Sequence, residues 1–236
     1  MAPFMGVLCW EAGGNPRGLE QLEGLVGNSV NPETYGFPVV FTRVPGANYD
    51  SVIHHPDEQL LASMIGKGRE LVDQGVKVVI TSCGFNAVFQ KALAQALPVP
   101  VYTSALMQIP LILSATGSRN IAVITASKQA LDPRHFAAVG VTDLSRIRIY
   151  GMDEQPEWSK IHLAPTESLC LDRVEAEIVS IARAAQKADP DLGAILLECT
   201  DLPPFAPALV RAVGLPVYDL LSMVTLIHAT FSSPHA

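Results

Sequence analysis

The chain has 236 residues, 49% of them hydrophobic and 17% charged, with a net charge of −7. That balance excludes global disorder and supplies the apolar side chains for one large α/β domain or two small ones. No cluster of lysine or arginine offsets the acidic excess, which argues against a nucleic-acid or anionic-membrane partner.

Taken in chain order, short β-branched runs alternate with longer amphipathic ones. The strands predicted are 4–9, 38–44, 76–81, 99–102, 120–125, 146–150 and 194–198. Most are continuous apolar runs, as expected of parallel strands buried on both faces. The stretch 13–36 is rich in Gly, Asn and Pro and reads as a long loop with one short helix, a kind of segment that is often functional. His54 and His55 precede Pro56, Asp57 and Glu58, which open a helix with an apolar stripe through Leu60, Leu61, Met64, Ile65, Leu71 and Val72, ending at Gly75. Further helices are expected over 86–96, 127–139, 167–187, 203–213 and 220–230. The stretch 105–115 is the most apolar, but it is short and carries Gln108 and Pro110, so no membrane span is expected. The first residues lack the basic region of a signal peptide, and four cysteines form no disulfide framework, so a cytoplasmic protein with reduced thiols is expected. The alternation reads as α/β, built of Rossmann-like parallel sheets.

An internal repeat is more specific. A shift of 116 residues lays Cys83 on Cys199, Phe89 on Phe205, and Ala92, Leu93 and Ala96 on Ala208, Leu209 and Ala212. Pro100, Val101 and Tyr102 then fall on Pro216, Val217 and Tyr218, and Met107 on Met223. Nine of the 25 positions from 83 to 107 are identical without a gap, where chance gives roughly one or two. The repeated unit is strand, cysteine, helix, short strand, helix. It predicts two similar lobes, 1–115 plus 216–236 and 116–215.

Each lobe thus carries one cysteine at a strand's carboxyl end, where ligands bind in α/β sheets. A following helix N-terminus is expected to lower the thiol pKa. Two lobes facing across a cleft would let one thiolate take a proton from a carbon while the other thiol delivers one, as inversion of a stereocentre requires. Cys83 and Cys199 are the catalytic candidates. Cys170, on an expected amphipathic helix, reads as packing, and Cys9, ending the first strand, stays near the cleft. No Cys-x-x-Cys or His-Glu-x-x-His spacing suggests a metal, and no dinucleotide fingerprint, P-loop or pyridoxal-lysine signal is present, so no cofactor is expected. Thr125 and Ser127, at the end of a strand, can offer hydroxyl and N–H donors to a carboxylate, or Ser127 can simply cap a helix. Ser82, beside Cys83, is a weaker candidate of the same kind, and Glu11 is a candidate to assist proton transfer or a plain loop carboxylate.

The segments ITSCGF and LLECTDLPPF, one in each half, resemble the two cysteine signatures of the aspartate/glutamate racemase superfamily, A-C-N-T-A and G-C-T-H/E. The resemblance spans nearly the whole chain. It implies two lobes related by a pseudo-twofold axis, an active site in the cleft between them, no cofactor, and two cysteines acting as acid and base on the α-carbon of a small carboxylate. The family's Asn-Thr pair, which holds the substrate carboxylate, is Gly84-Phe85 here, with Asn86 one step later; Thr200 is retained and Asp201 stands beside it. Cys9, Trp10 and Glu11 replace the Asp-Ser of the glutamate enzymes. These departures point away from an acidic amino acid and leave hydantoin-type, malonate-type or other α-substituted carboxylates. The function expected is racemisation or epimerisation. An arylmalonate-type decarboxylase, a maleate-type isomerase and a non-catalytic carboxylate-binding module are the alternatives. The apolar stretch 216–231 can pack a second copy of the chain.

Overall fold

In the computed structural model, which describes residues 3–11 and 16–231, the apolar runs become strands covered on both faces. The first part of the chain runs β1 (Met5–Cys9), α1 (Arg17–Glu23), β2 (Val39–Arg43), α2 (Glu58–Asp73), β3 (Val78–Thr81), α3 (Gln90–Ala96), β4 (Val101–Tyr102) and α4 (Ile109–Ala115). The second runs β5 (Asn120–Thr125), α5 (Pro133–Ala138), β6 (Ile147–Gly151), α6 (Lys160–Leu163), α7 (Leu171–Ala188), β7 (Leu192–Leu197), α8 (Ala206–Val213), β8 (Val217–Tyr218) and α9 (Leu220–Phe231). The strands form two four-stranded sheets, ordered β2-β1-β3-β4 and β6-β5-β7-β8, with every neighbouring pair parallel. All residues of β1, β3 and β7 are buried, as a central strand between two helical layers demands.

The repeat is therefore architectural. The 116-residue shift that superposes the cysteines also carries 78–81 onto 194–197 and 101–102 onto 217–218, and the strand order is the same in both sheets. The lobe limits differ from those expected at 116 and 216. β8 pairs with β7 and so belongs to the second sheet. α9 returns to the first sheet, burying Leu220, Met223, Val224 and Ile227 in one cluster with Met5, Val7, Val78 and Ile80. Its repeat partner α4 buries Ile109 and Ile112 in a cluster that includes Ile121, Val123 and Leu196 of the second sheet. Each lobe thus takes a helix from the end of the other's repeat, which ties the two together.

Local chemistry explains the other departures. The helix expected over 127–139 begins only at Pro133, because the Asp132 side chain accepts from the Arg134 N–H at 2.8 Å and Pro133 presets the first turn. His54 closes a π-helical turn, Asp50–His54, and α2 starts separately from the Asp57 cap, which accepts from the Leu60 N–H at 2.8 Å. Cys170 is exposed at the N-cap of α7 rather than packed on its apolar face. In the 13–36 segment, residues 13–15 lie outside the described residues; the remainder holds α1 and a 3-10 turn, Pro32–Thr34. Among the described residues no helix is long and apolar enough to cross a membrane.

α2 lies on the first sheet through Leu71, which is fully buried. Its methyl carbons come within 2.8 and 3.0 Å of where a Cβ on Gly6 of β1 would stand, so the glycine makes room for the leucine. Leu71→Ala should leave a cavity and cost about 2–5 kcal/mol, read as a lower urea midpoint at unchanged slope.

Candidate active site

Four strand ends converge on one cavity. Trp10 follows β1, Ser82 and Cys83 follow β3, Ala126 follows β5, and Cys199, Thr200 and Asp201 follow β7; all line it. Leu19 and Glu23 of α1 reach it from one side. Two loops cover it, one from each lobe, bringing Tyr49 and Ile53 on one side and Trp158, Ile161 and His162 on the other. The loops meet where the Tyr49 and His162 rings pack at a centroid distance of 3.9 Å. The second loop is held from below: the Glu177 carboxylate accepts from the Glu157 and Trp158 N–H groups at 2.6 and 3.0 Å. Glu157 in turn accepts from the Cys170 N–H at 2.8 Å. The first is pinned by Asn48, whose side-chain oxygen accepts from the Asp50 and Ser51 N–H groups at 3.0 and 3.1 Å.

Cys83 is in extended conformation and leads into a 3-10 turn, Gly84–Phe89. The Thr81 hydroxyl fixes that turn against the Cys83 and Thr103 carbonyls at 3.0 and 2.7 Å. Across the seam the Thr200 hydroxyl donates to the Ser82 carbonyl, joining the two cysteine turns directly. Cys199 directs its thiol to Asp201 Oδ2 at 3.6 Å, and Asn28 donates to the other oxygen of Asp201 at 2.7 Å.

The electrostatics reverse the sequence expectation for the thiols. Burial pushes both well above the usual cysteine value. Glu198 is the next largest influence at Cys83, and Asp201 then Glu198 at Cys199, all in the same direction. N–H groups of Phe85 and Asp201 pull the other way, but they do not outweigh the desolvation and like charge. The carboxyls respond to one another too. Burial, reinforced by Asp201, lifts Glu23 to about 7, and burial raises Asp201 itself. The Arg43 guanidinium, acting on Glu23, lies outside the cavity lining, which among the described residues holds no lysine or arginine.

Of the residues singled out in the sequence, Ser82, Cys83, Cys199, Thr200 and Asp201 line the cavity together. Gly84 lies beneath it: a Cβ there would stand 2.2 Å from Glu198 Oε1 and 2.4 Å from the Glu198 carbonyl oxygen. Thr125 is fully buried, its hydroxyl donating to Glu198 Oε2 at 2.7 Å, so it supports the site from behind. Ser127 turns to Asp153 at 3.2 Å and lines a separate depression. Asn86 is buried outside the cavity lining, and the exposed Glu11 accepts from the Gly46 N–H at 3.1 Å. The aromatic lining and Glu23 went unassigned in the sequence; Glu23 lies in the 13–36 segment flagged as functional, and Trp10 at a flagged strand end.

No protein-family profile matches the chain. A dimethylsulfoniopropionate lyase from Durusdinium sp. clade D is 31% identical over 204 residues, covering 84% of this chain and 67% of its own length. The chain belongs to the dimethylsulfoniopropionate lyase family. A second member, dimethylsulfoniopropionate lyase 5 of Emiliania huxleyi (strain CCMP1516), is 29% identical over 163 residues, 66% of this chain; the chain spans only 32% of it. The fold is shared with solved structures of a decarboxylase and of racemases. An arylmalonate decarboxylase structure aligns with a TM-score of 0.59 at 21% identity, covering 99% of this chain and 94% of its own. An allantoin racemase from Klebsiella pneumoniae aligns at 0.62 and 16%, covering 96% and 88%.

In this lyase-family chain Gly84 is required for space and not for backbone conformation. Gly84→Ala should force the Glu198 strand end or the Cys83 turn to shift, costing about 1–3 kcal/mol and disturbing both cysteines. Gly66→Ala on α2, where a Cβ meets nothing within 4 Å, should be neutral or slightly stabilising. Thermal melting of the two variants side by side checks the contrast.

Proposed function

We propose that this chain is a cofactor-independent lyase of small sulfonium carboxylates, in which a cysteine thiolate removes the proton beside the carboxylate and the sulfonium sulfur departs. The carrying observation is the lining of the cavity: Trp10, Tyr49, Phe85 and Trp158 with Glu23 and Asp201, and among the described residues no lysine or arginine. Aromatic faces and carboxylates attract a cation, most strongly where water is excluded. The names of the relatives, dimethylsulfoniopropionate lyases, support a ligand with such a cation. The free space, about 50 Å³ for water-sized molecules, corresponds to about four waters at roughly 10–15 Å³ each and suits a small acyclic ligand.

The chemistry balances without another reactant. The thiolate takes the α-proton; the electron pair left on carbon forms a double bond to the β-carbon; the β-carbon–sulfur bond breaks, and sulfur keeps its electrons as a neutral dialkyl sulfide. The unsaturated carboxylate leaves, and the thiol returns its proton to solvent. A bound cation also helps the base, because its positive charge offsets the carboxylates that hold the thiols protonated. The carboxylate end of the ligand is directed to the N–H groups that open the cysteine turns.

Racemisation or epimerisation stands as the second reading, favoured by one observation: repeat-related cysteines both line the cavity. Elimination needs one base, whereas inversion needs both faces. With dimethylsulfoniopropionate as substrate, wild type should release dimethyl sulfide, and one of the two variants Cys83→Ser and Cys199→Ser, the one that removes the base, should reduce that release by about 10²–10⁴-fold while the other reduces it far less, read by headspace chromatography. If instead no sulfide forms, and the two variants wash deuterium into opposite enantiomers of a chiral carboxylate, the racemase reading takes its place. Binding supplies a separate check. Glu23 titrates at about 7 and attracts a cation only when ionised, so an unreactive trimethylammonium carboxylate should bind more tightly as pH rises through 7. Calorimetry of Glu23→Gln should show that dependence flattened.

A further inference from the structure

Glu198 is the one carboxyl of the site that does not line the cavity, and its setting is unusual. It is fully buried, one residue before Cys199. Its Oε2 accepts the Thr125 hydroxyl, and its Oε1 has no partner among the described residues. That orphaned oxygen lies against Gly84, the residue after Cys83. A buried carboxylate oxygen without a donor is costly; protonation of Oε1 removes that buried charge, while the Thr125 hydroxyl satisfies Oε2. The group thus sits between the two cysteine turns, bonded in chain to one and in contact with the other.

We propose that Glu198 is a positioning residue that sets the charge state of both cysteines: with its carboxyl neutral either thiol can ionise, and with its carboxyl ionised both are held as thiols. The electrostatics agree in direction. Glu198 acts on Cys83 and on Cys199, raising each, and burial lifts Glu198 itself to about 7. The titratable groups around it are Cys199 and Asp201 on its own turn and Cys83 from the other lobe, while β5 contributes the uncharged Thr125 hydroxyl. Among the described residues no cation contributes to its shift. The site thus works with Glu198 neutral, below or near pH 7, and loses its thiolates' advantage as Glu198 ionises above that. The inference takes from the proposed function only that the thiols are the working groups.

The test reads the thiols directly and needs no substrate. Iodoacetamide modification of Cys83 and Cys199 is followed by peptide mass spectrometry across pH in wild type, Glu198→Gln and Thr125→Val. The glutamine keeps the shape and cannot ionise, so its modification curves should move to lower pH by about one unit, a roughly tenfold faster reaction at pH 8. Thr125→Val removes the hydrogen bond that favours the carboxylate, keeps Glu198 neutral to higher pH, and should move the curves the same way, with no further effect in the glutamine background. The activity–pH profile of Glu198→Gln should extend further to the alkaline side. Curves that superimpose on wild type, or that move to higher pH, overturn the proposal; a merely structural Glu198 gives the first of these. If Glu198→Gln does not fold, the Thr125→Val curve alone decides between the same outcomes. Failure of the lyase reading would show as absent sulfide release and would leave these thiol curves unaffected.

Discussion

The contact of the Glu198 carboxyl with Gly84, backed by the Thr125 hydroxyl, is the constraint on which the site depends. It brings together the ends of three strands from two sheets: β5 through Thr125, β7 through Glu198 and β3 through the Cys83 turn. Any side chain at 84 would occupy the volume of that carboxyl, so the seam between the lobes closes only with glycine there. Once it closes, the Thr200 hydroxyl reaches the Ser82 carbonyl and the two cysteine turns become a single hydrogen-bonded unit. The exchange of α4 and α9 between the lobes acts at longer range in the same sense. Neither sheet is covered without the other repeat's helix, so the cleft geometry is part of the folding cooperativity and not a loose domain interface.

The second consequence is electrostatic. Glu23, Glu198 and Asp201 gather round two thiols, one half-buried and one buried, and every one of the five is shifted toward its neutral form. In an empty site this is an unfavourable collection, the kind of local conflict that folded chains retain where function demands it. A ligand that carries only a carboxylate would add to the conflict; a ligand that also carries a cation would relieve it and make a thiolate easier to form at the moment it is needed. The aromatic side chains that complete the lining add attraction for a cation without adding charge.

Much of this was legible in the residues. Strands buried on both faces must be continuously apolar, so 4–9, 76–81, 120–125 and 194–198 read clearly, and a gapless repeat paired Cys83 with Cys199 before any coordinates. What could not be read depends on three-dimensional neighbours. An apolar stripe says that α4 and α9 must be covered, but not by which sheet. A helix start after a cysteine suggests a lowered pKa, but burial in the folded chain opposes it, and so does the like charge of Glu198, 115 positions from Cys83. Thr125 looks like a ligand donor by its place at a strand end; the partner that claims its hydroxyl lies 73 positions further on. Trp158 and Tyr49 stand in loops without periodic pattern, and tertiary contacts, among them the Glu177 bond to the Trp158 N–H and the Tyr49–His162 ring packing, set them over the cavity.

A shared fold does not fix the reaction, because function lives in the site. Taking a proton from the carbon beside a carboxylate leaves the same electron pair whether the next event is return of a proton on the other face or loss of a leaving group on the neighbouring carbon. What separates the outcomes is the free energy offered to each by the cavity wall. A second thiol opposite the first favours reprotonation. A wall of aromatic faces and carboxylates holds a cationic group in place at the β-carbon, where it is an excellent leaving group, and elimination then competes directly with any proton return. This chain brings two thiols and such a wall to one cavity. On the proposed elimination, departure of a neutral sulfide would remove the one positive charge that had offset Glu23 and Asp201, and the carboxylates would recover their mutual repulsion and draw protons again. The site would then return to its neutral, thiol-bearing form by the same electrostatics that prepared it.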